Sequence, residues 1–341
     1  MEITAVENTP IAPKSTRPRR KKVAAVTPEH RYLVTGGAGF IGSHVVDALL
    51  STGAEVVVLD DFSSGKPENL EQHKKNSKLT IVEQSITSDL SKVIPPNRFD
   101  AVFHLAAIPR VRESIEHPEV TNEINVGGTL HMLEACRNAN VKRFIFSSSA
   151  AVYGSPVTLP TPEVAAIDPL SPYALQKRVG ELYCTLYQKL YGLETVVLRY
   201  FNVYGPRMDA SSDYAGLIPK FIELLHSNTS PIIYGDGNQT RDFIFVRDVA
   251  AANIAALTAP IEKCDMPINV GTGKPISVND FVTLLRELTS ASVEPTFGPA
   301  ITEPRKSQAN IDRLEQVLGI TPTISLRDGL AEILLEHTNK S

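Results

Sequence analysis

The sequence predicts an α/β fold, a Rossmann-type doubly wound parallel sheet with a smaller C-terminal α/β part. Three observations carry that expectation. Short apolar strands alternate with helical stretches between residues 31 and 202. A glycine-rich turn, Thr35-Gly36-Gly37-Ala38-Gly39-Phe40-Ile41-Gly42, joins the first strand to the first helix. The segments richest in special residues each lie where a strand ends: 35–42, Asp60-Asp61, His104-Leu105-Ala106-Ala107, 147–149 and Arg199-Tyr200-Phe201-Asn202. Open sheets of this kind bind ligands at that edge, whereas solvated loops have no reason to collect such residues on one side.

Residues 1–30 are rich in Pro, Thr and Val and carry the basic run Arg17-Pro18-Arg19-Arg20-Lys21-Lys22, without the apolar centre of a signal peptide. They are expected to form a disordered tail, with a basic address or tether as the sharper alternative. Tyr32-Leu33-Val34 then reads as a buried strand, 43–50 as a helix ended by Gly53, and Glu55–Asp60 as a second strand. Glycines at 36, 39 and 42 let backbone N–H groups and a helix N-terminus approach a pyrophosphate. Asp60 follows Gly42 by 18 residues, near the spacing for a carboxylate that bonds the adenosine ribose hydroxyls. That carboxylate repels a 2′-phosphate, so the predicted cofactor is NAD rather than NADP. A strand-end turn is the alternative role for Asp60. Further strands are expected at Leu79–Glu83, 101–105, 144–148 and 195–198, with helices at 118–138 and Pro172–Tyr191.

Composition narrows the class. The 341 residues are 42% hydrophobic and 21% charged with a net charge of −4, which describes a soluble globular protein and gives no reason to expect nucleic-acid binding. No apolar run approaches the ~20 residues of a membrane span. Cys136, Cys184 and Cys264 are far apart and in no metal-ligand spacing, so no metal is expected and buried thiols in a reducing cytoplasm account for them.

Within Ser171-Pro172-Tyr173-Ala174-Leu175-Gln176-Lys177, Lys177 follows Tyr173 by four positions, which places both on one helix face. A neighbouring ammonium stabilises a phenolate, so the Tyr173 pKa is expected to fall from ~10 toward neutrality, as a base acting on a hydroxyl requires. The same spacing also occurs on ordinary helices, and the other segments decide between the two.

Together, 35–42, His104-Leu105-Ala106-Ala107, Asn125-Val126-Gly127-Gly128-Thr129, 147–154, Tyr173 to Lys177 and Leu198-Arg199-Tyr200-Phe201-Asn202-Val203-Tyr204-Gly205-Pro206-Arg207 resemble the extended short-chain dehydrogenase/reductases. The likeness runs over residues 31–335 and is to the nucleotide-sugar 4-epimerases related to UDP-glucose 4-epimerase. It implies that Tyr173 takes the proton of the sugar 4-hydroxyl, that Lys177 bonds the nicotinamide ribose and lowers the Tyr173 pKa, and that Ser149 bonds the reacting oxygen. A hydride passing from sugar C4 to NAD would give a 4-keto intermediate that rotates and is reduced on its other face, so NAD is regenerated and expected to stay tightly bound. Cofactor contacts are implied for Gly36, Gly39, Phe40, Ile41, Gly42, Asp60, Asp61, Ser64, Gly65, Ile86, Leu105, Ala106, Ala107, Asn125, Ser147, Tyr173, Lys177 and Tyr200. Resembling 4,6-dehydratases carry Asp-Glu where this chain has Ala150 and Ala151, and resembling decarboxylases carry Glu at the second position; reversible oxidation at C4 is the chemistry left.

The implied architecture is an NAD-binding domain at 31–202, with a returning segment near 240–270, and a substrate-binding domain at 203–239 and 271–335, where Gly216-Leu217-Ile218-Pro219-Lys220-Phe221 opens a helix. Substrate contacts are implied for Ser149, Tyr173, Asn202, Leu217, Lys220, Tyr234, Arg241, Arg305 and Ser307, with Asn202 and Arg241 at the diphosphate. An ion pair with Asp242 or Asp248 is the alternative for Arg241, and Asp248 is expected to cap a helix. Two departures stand out. Aligning Glu303 with the family's C-terminal acid puts Ala300 where relatives have a phosphate-binding Arg, leaving Arg305 either to replace it or to lie in solvent. Gln84-Ser85-Ile86 replaces a Gly-Asp-Ile run at the adenine, which predicts weaker NAD retention. Ser307 falls where a bulky aromatic restricts the sugar 2-substituent, so UDP-GlcNAc/UDP-GalNAc are expected substrates beside UDP-Glc/UDP-Gal. The alternatives are a UDP-hexuronic acid 4-epimerase, a net-redox NDP-sugar reductase or dehydrogenase, and a non-catalytic NAD sensor. Helices 118–138 and Pro172–Tyr191 are apolar on more than one face, and the resemblance implies a homodimer through them.

Overall fold

The fold is that of a computed structural model, which describes residues 29–208, 217–300 and 304–340; the basic tail, Gly216 and Glu303 lie outside the described residues. Strands β1 (Arg31–Thr35), β2 (Glu55–Asp60), β3 (Leu79–Glu83), β4 (Ala101–His104), β5 (Arg143–Ser149) and β6 (Glu194–Tyr200) fall where the apolar runs predict them. Beyond them lie β7 (Asn202–Tyr204), β8 (Ile232–Tyr234), β9 (Thr240–Arg241), β10 (Phe243–Phe245), β11 (Ile268–Val270), β12 (Ile276–Ser277) and β13 (Thr296–Gly298). Seven of them form one parallel sheet in the order β11-β6-β5-β4-β1-β2-β3. The order reverses between β1 and β4, and this is the crevice where doubly wound sheets take their ligands.

Alternation along each strand feeds two cores. Val34, Val56 and Val58 pack on one face of the sheet, and Leu33, Val57 and Leu59 on the other. Helix α1 (Phe40–Ser51) covers the first face and meets α7 (Val246–Ala256) there. The second face is covered by two stretches of helix. One comprises α2 (Val111–Glu116), α3 (Pro118–Asn122), a π-helical turn (Glu123–Gly128) and α4 (Thr129–Asn138); the other is α5 (Pro172–Tyr191). A third core joins α6 (Leu217–His226), α8 (Val278–Thr289) and α10 (Leu326–Lys340) to the β7–β10 pair through Tyr204, Phe221, Phe245, Phe281 and Leu330. The short pairs β9–β12 and β8–β13 lie in the same C-terminal part, as does α9 (Asp312–Leu318), which packs against β11 and α7.

Helix α5 has strong local signals. Ser171 accepts a bond from the Ala174 N–H at 3.2 Å, Pro172 occupies the first turn, and Gly192 ends the helix in the left-handed conformation at φ 74°. Such a cap contributes about 1 kcal/mol. Two expectations need correction. The segment 118–138 is not one regular helix, because the π turn widens it at Gly127-Gly128; a side chain at Gly128 would strike Ile86. Asp248 does not cap α7 but lies in its first turn, where its carboxylate accepts bonds from Thr323 and from the Ile324 N–H.

Candidate active site

The glycine turn brings backbone within contact of backbone. Gly36 has φ 66°, and a Cβ there would lie 2.7 Å from the Ala106 nitrogen; at Gly42 a Cβ would collide with the Gly36 carbonyl oxygen. Asp60, buried at the end of β2, steadies this turn by accepting the Ala38 N–H at 2.9 Å and the Phe62 N–H at 2.9 Å. Burial pushes its carboxyl above the usual range against those two bonds. Along this edge runs a cleft of about 660 Å³ lined by Gly36, Gly39, Phe40, Ile41, Gly42, Asp60, Asp61, Ser64, Gly65, Ile86, Leu105, Ala106, Ala107, Ser147, Ser149, Tyr173, Lys177 and Tyr200. Strand-end logic also covers three cations in its wall that the sequence reading passed over, Lys66 after β2, Arg110 after β4 and Arg207 after β7.

Asn125 does not line the cleft. Its amide accepts the Ile108 N–H at 2.8 Å and donates to the Ile108 carbonyl and to Gln176, so it holds the loop behind the cleft wall. His104 serves the same wall. Its ring lies between Thr35 Oγ1 at 2.8 Å and Thr129 Oγ1 at 3.1 Å, and burial pushes it down to about 3, so it stays neutral.

Tyr173 lies at the first turn of α5, and its backbone N–H bonds Ser114 Oγ. Lys177 Nζ donates to the Ser147 carbonyl at 2.8 Å and lies 5.2 Å from the Phe146 ring centroid and 5.9 Å from that of Tyr173. The expected fall in the Tyr173 pKa is not what these surroundings produce. Burial pushes the phenol up to about 12, opposed by a hydrogen bond with Ser149, and burial pushes Lys177 down to about 8. The ammonium is committed to the strand end rather than to the phenol oxygen. Ser149 has two duties: its Oγ also accepts the Ala151 N–H at 3.1 Å and caps the turn Ala150–Tyr153.

Beneath these residues lies a buried ion pair. Glu181, one turn after Lys177, receives two bonds of 2.7 Å from Arg199 and one of 2.5 Å from Ser148 Oγ. Arg199 also donates to Tyr153 Oη at 2.8 Å, and Tyr153 in turn donates to Asn269. The segment 147–153 is thereby fixed from below.

A second cavity, of about 330 Å³, is lined by Ser149, Ala150, Ala151, Tyr173, Asn202, Arg241 and Ser307, together with Tyr153, Thr161, Pro304 and Lys306, which the sequence reading missed. Asn202 and Ser307 meet across it at 3.5 Å, and Arg241 Nη1 donates to the Thr240 and Pro304 carbonyls. The carboxylates offered as its alternative partners have other duties. Asp242 accepts bonds from Thr272, Gly273 and Ala309, and Asp248 holds 323–324. Four expected substrate residues, Leu217, Lys220, Tyr234 and Arg305, line neither cavity. Lys220 is exposed, Tyr234 is 44% exposed, and Arg305 makes a two-bond pair with Asp236 at 3.0 and 2.9 Å.

Both cavities are lined by Ser149, Tyr173, Tyr200 and Phe201, so they meet at Tyr173. A family model for the NAD dependent epimerase/dehydratase family matches residues 32–271. The chain belongs to this family. It is an NAD-dependent enzyme of the epimerase class. It is 39% identical to the UDP-glucose 4-epimerase of Mycolicibacterium smegmatis over 314 residues, covering 91% of this chain and 99% of that one. The structure of the UDP-glucose 4-epimerase of Thermotoga maritima with UDP-glucose superposes with a TM-score of 0.84 at 39% identity, covering 91% and 99% of the two chains. The UDP-N-acetylglucosamine 4-epimerase of Methanobrevibacter ruminantium, in complex with UDP-N-acetylmuramic acid, superposes with a TM-score of 0.87 at 38% identity, covering 92% and 99%. The glycine turn fits NAD, since Gly36, Gly39 and Gly42 put backbone without side chains in the cleft wall at the start of α1, with Asp60 beside them. Among the described residues no helix is long and apolar enough to cross a membrane.

Proposed function

We propose that this enzyme inverts C4 of a UDP-hexose, accepting UDP-GlcNAc/UDP-GalNAc as well as UDP-Glc/UDP-Gal. The observation that carries this reading is the shared wall: Tyr173 and Ser149 border the dinucleotide cleft on one side and the second cavity on the other. NAD, when bound, supplies a reversible acceptor for the hydrogen of the carbon that bears the hydroxyl. Tyr173 takes and returns the hydroxyl proton, Ser149 holds the oxygen, and Lys177 fixes the strand end and reaches the ribose. Burial raises the Tyr173 phenol, the hydrogen bond with Ser149 opposes that, and positive charge in the cleft beside it favours the phenolate further. Ala150 and Ala151 line the sugar cavity and offer neither acid nor base, which disfavours elimination. Asn202 and Arg241 face the diphosphate, and Ser307 leaves room at C2. Residues 31–202 with the returning segment near 240–270 serve the cofactor, and 203–239 with 271–335 the sugar nucleotide; the third core, closed around α6, α8 and α10, supports that division.

A homodimer forms through α5. Leu175, Leu182, Leu186 and Leu190 make one stripe of the helix and are 45–62% exposed, next to Val111, Ile115 and Val120 of α2 and α3. A second substrate reading, a UDP-hexuronic acid, is favoured by one feature: Lys306 joins Arg241 in the lining of the sugar cavity, where no Asp or Glu appears among the described residues.

Interconversion of a panel of UDP-sugars without added cofactor tests the proposal. Turnover of UDP-GlcNAc and UDP-Glc without net NAD reduction is expected, and replacing Tyr173 by Phe lowers it about 1000-fold, within the range for a lost general base. Turnover of UDP-glucuronate alone selects the second reading, and near-normal turnover by the Phe variant overturns the base.

A further inference from the structure

The segment 205–208 forms part of the cofactor cleft, since Arg207 and Met208 line it together with Phe40 and Ile41 of the glycine turn's helix. Little in its own conformation holds it there. Gly205 has φ 154° and Arg207 φ 68°, a left-handed conformation unfavourable for arginine. On its other side the segment borders a cavity of about 110 Å³, bounded also by α6 and α10, so packing is incomplete there.

What holds it is one turn of α1. His44 and Asp47, three residues apart on the same helix face, both reach the segment. Burial pushes His44 down to about 4, so the neutral ring donates from Nε2 to the Pro206 carbonyl at 3.1 Å. Asp47 accepts Arg207 Nη2 at 2.7 Å on one oxygen, and on the other His73 at 2.7 Å and Gln72 at 2.9 Å. Burial pushes the Asp47 carboxyl up, but the bonds from Arg207, Gln72 and His73 outweigh it and hold the group below its usual range. Arg207 Nη1 is buried and has no hydrogen-bond partner, so the side chain keeps this orientation at the expense of an unmet donor.

We propose that Asp47 and Arg207 form a clasp that fastens the 205–208 segment to α1 and sets how firmly NAD is retained. Asp47 does not line the cleft, so it acts on the cofactor through the residues it holds, Arg207 first among them: both are positioning residues. The proposal rests on NAD use and is independent of which sugar is bound.

The test is the release of bound NAD from the purified enzyme on dilution, followed by quantifying free NAD, in Asp47→Asn, Arg207→Asn and the double variant. Asparagine tolerates the left-handed φ of Arg207. Each single variant is expected to release NAD about tenfold faster, a difference of about 1.4 kcal/mol. The double variant is expected to be no worse than either single one, because the two residues act as a unit. Arg207→Lys is expected to restore part of the retention. A lowered thermal midpoint with wild-type release rates, or losses that add in the double variant, overturns the clasp. If Asp47→Asn does not fold, the comparison of Arg207→Asn with Arg207→Lys still decides: equal release rates in those two overturn it.

Discussion

The cofactor cleft and the sugar cavity share Tyr173 but are built differently. The cleft runs along strand ends of one parallel sheet, closed on one side by the segment after β7, and its position follows from strand order. The cavity is assembled from the turn after β5, the Asn202 strand end, Arg241 on a two-residue strand and the stretch 304–307. Its pieces are remote in sequence and joined by short pairs such as β9–β12. A site on the rim of a packed sheet tolerates little backbone adjustment, whereas one made of loops is adjusted by single side chains.

That contrast predicts the largest effect on NAD binding at Gly42. An alanine there puts its Cβ against the Gly36 carbonyl, and both partners are backbone fixed to the sheet, so the glycine turn must open. NAD affinity is expected to fall by about 100-fold, roughly 2.7 kcal/mol, measured by calorimetry with the purified protein. An affinity within threefold of wild type would show that the turn adjusts and would remove the contrast.

The two halves also differ in how far sequence exposes them. The residues expected at the cofactor line the cleft apart from Asn125, because glycines, an acid at a strand end and apolar strands are local signals with fixed geometry. Asn125 lies in the π turn, which no local pattern announces, and its amide is bonded to the Ile108 backbone. Arg305 and Tyr234 follow family alignment, yet Arg305 is held by Asp236 and Tyr234 lines neither cavity and is 44% exposed. Lys306 and Thr161 enter the cavity through tertiary placement alone; Thr161 is brought there by its bridge to Ala309. The Tyr173 phenol likewise depends on surroundings that spacing does not show. Spacing places Lys177 near the ring, but burial and the Ser147 carbonyl decide what the ammonium does.

Lys177 gives the next effect in size. Its folded pKa, about 8, lies below the ordinary 10.5, so burying the charged form opposes folding. That cost is full below pH 8 and disappears as pH rises toward 10.5, where the unfolded chain also loses the proton. Replacing Lys177 by Met is expected to abolish turnover and to stabilise the protein by about 2 kcal/mol at pH 7. Chemical denaturation at pH 7 and pH 10 checks the sign: the gain must shrink at the higher pH. A variant less stable at pH 7 would mean that the bond to Ser147 outweighs the burial of charge.

The smallest effect probes the looser half. Ser307 meets Asn202 at 3.5 Å, and both line the sugar cavity, so a larger side chain at 307 intrudes on whatever occupies that space. A tyrosine there is expected to lower kcat/KM for UDP-GlcNAc by about tenfold, the size of a modest steric discrimination, with little change for UDP-Glc. The selectivity is what matters, because 304–307 lies outside the sheet and can shift without disturbing the cofactor. NAD content of the variant, measured alongside, should match the wild type. Equal losses on both sugars would place Ser307 away from C2, and loss of NAD would mean that the two sites are more tightly joined than their separate construction implies.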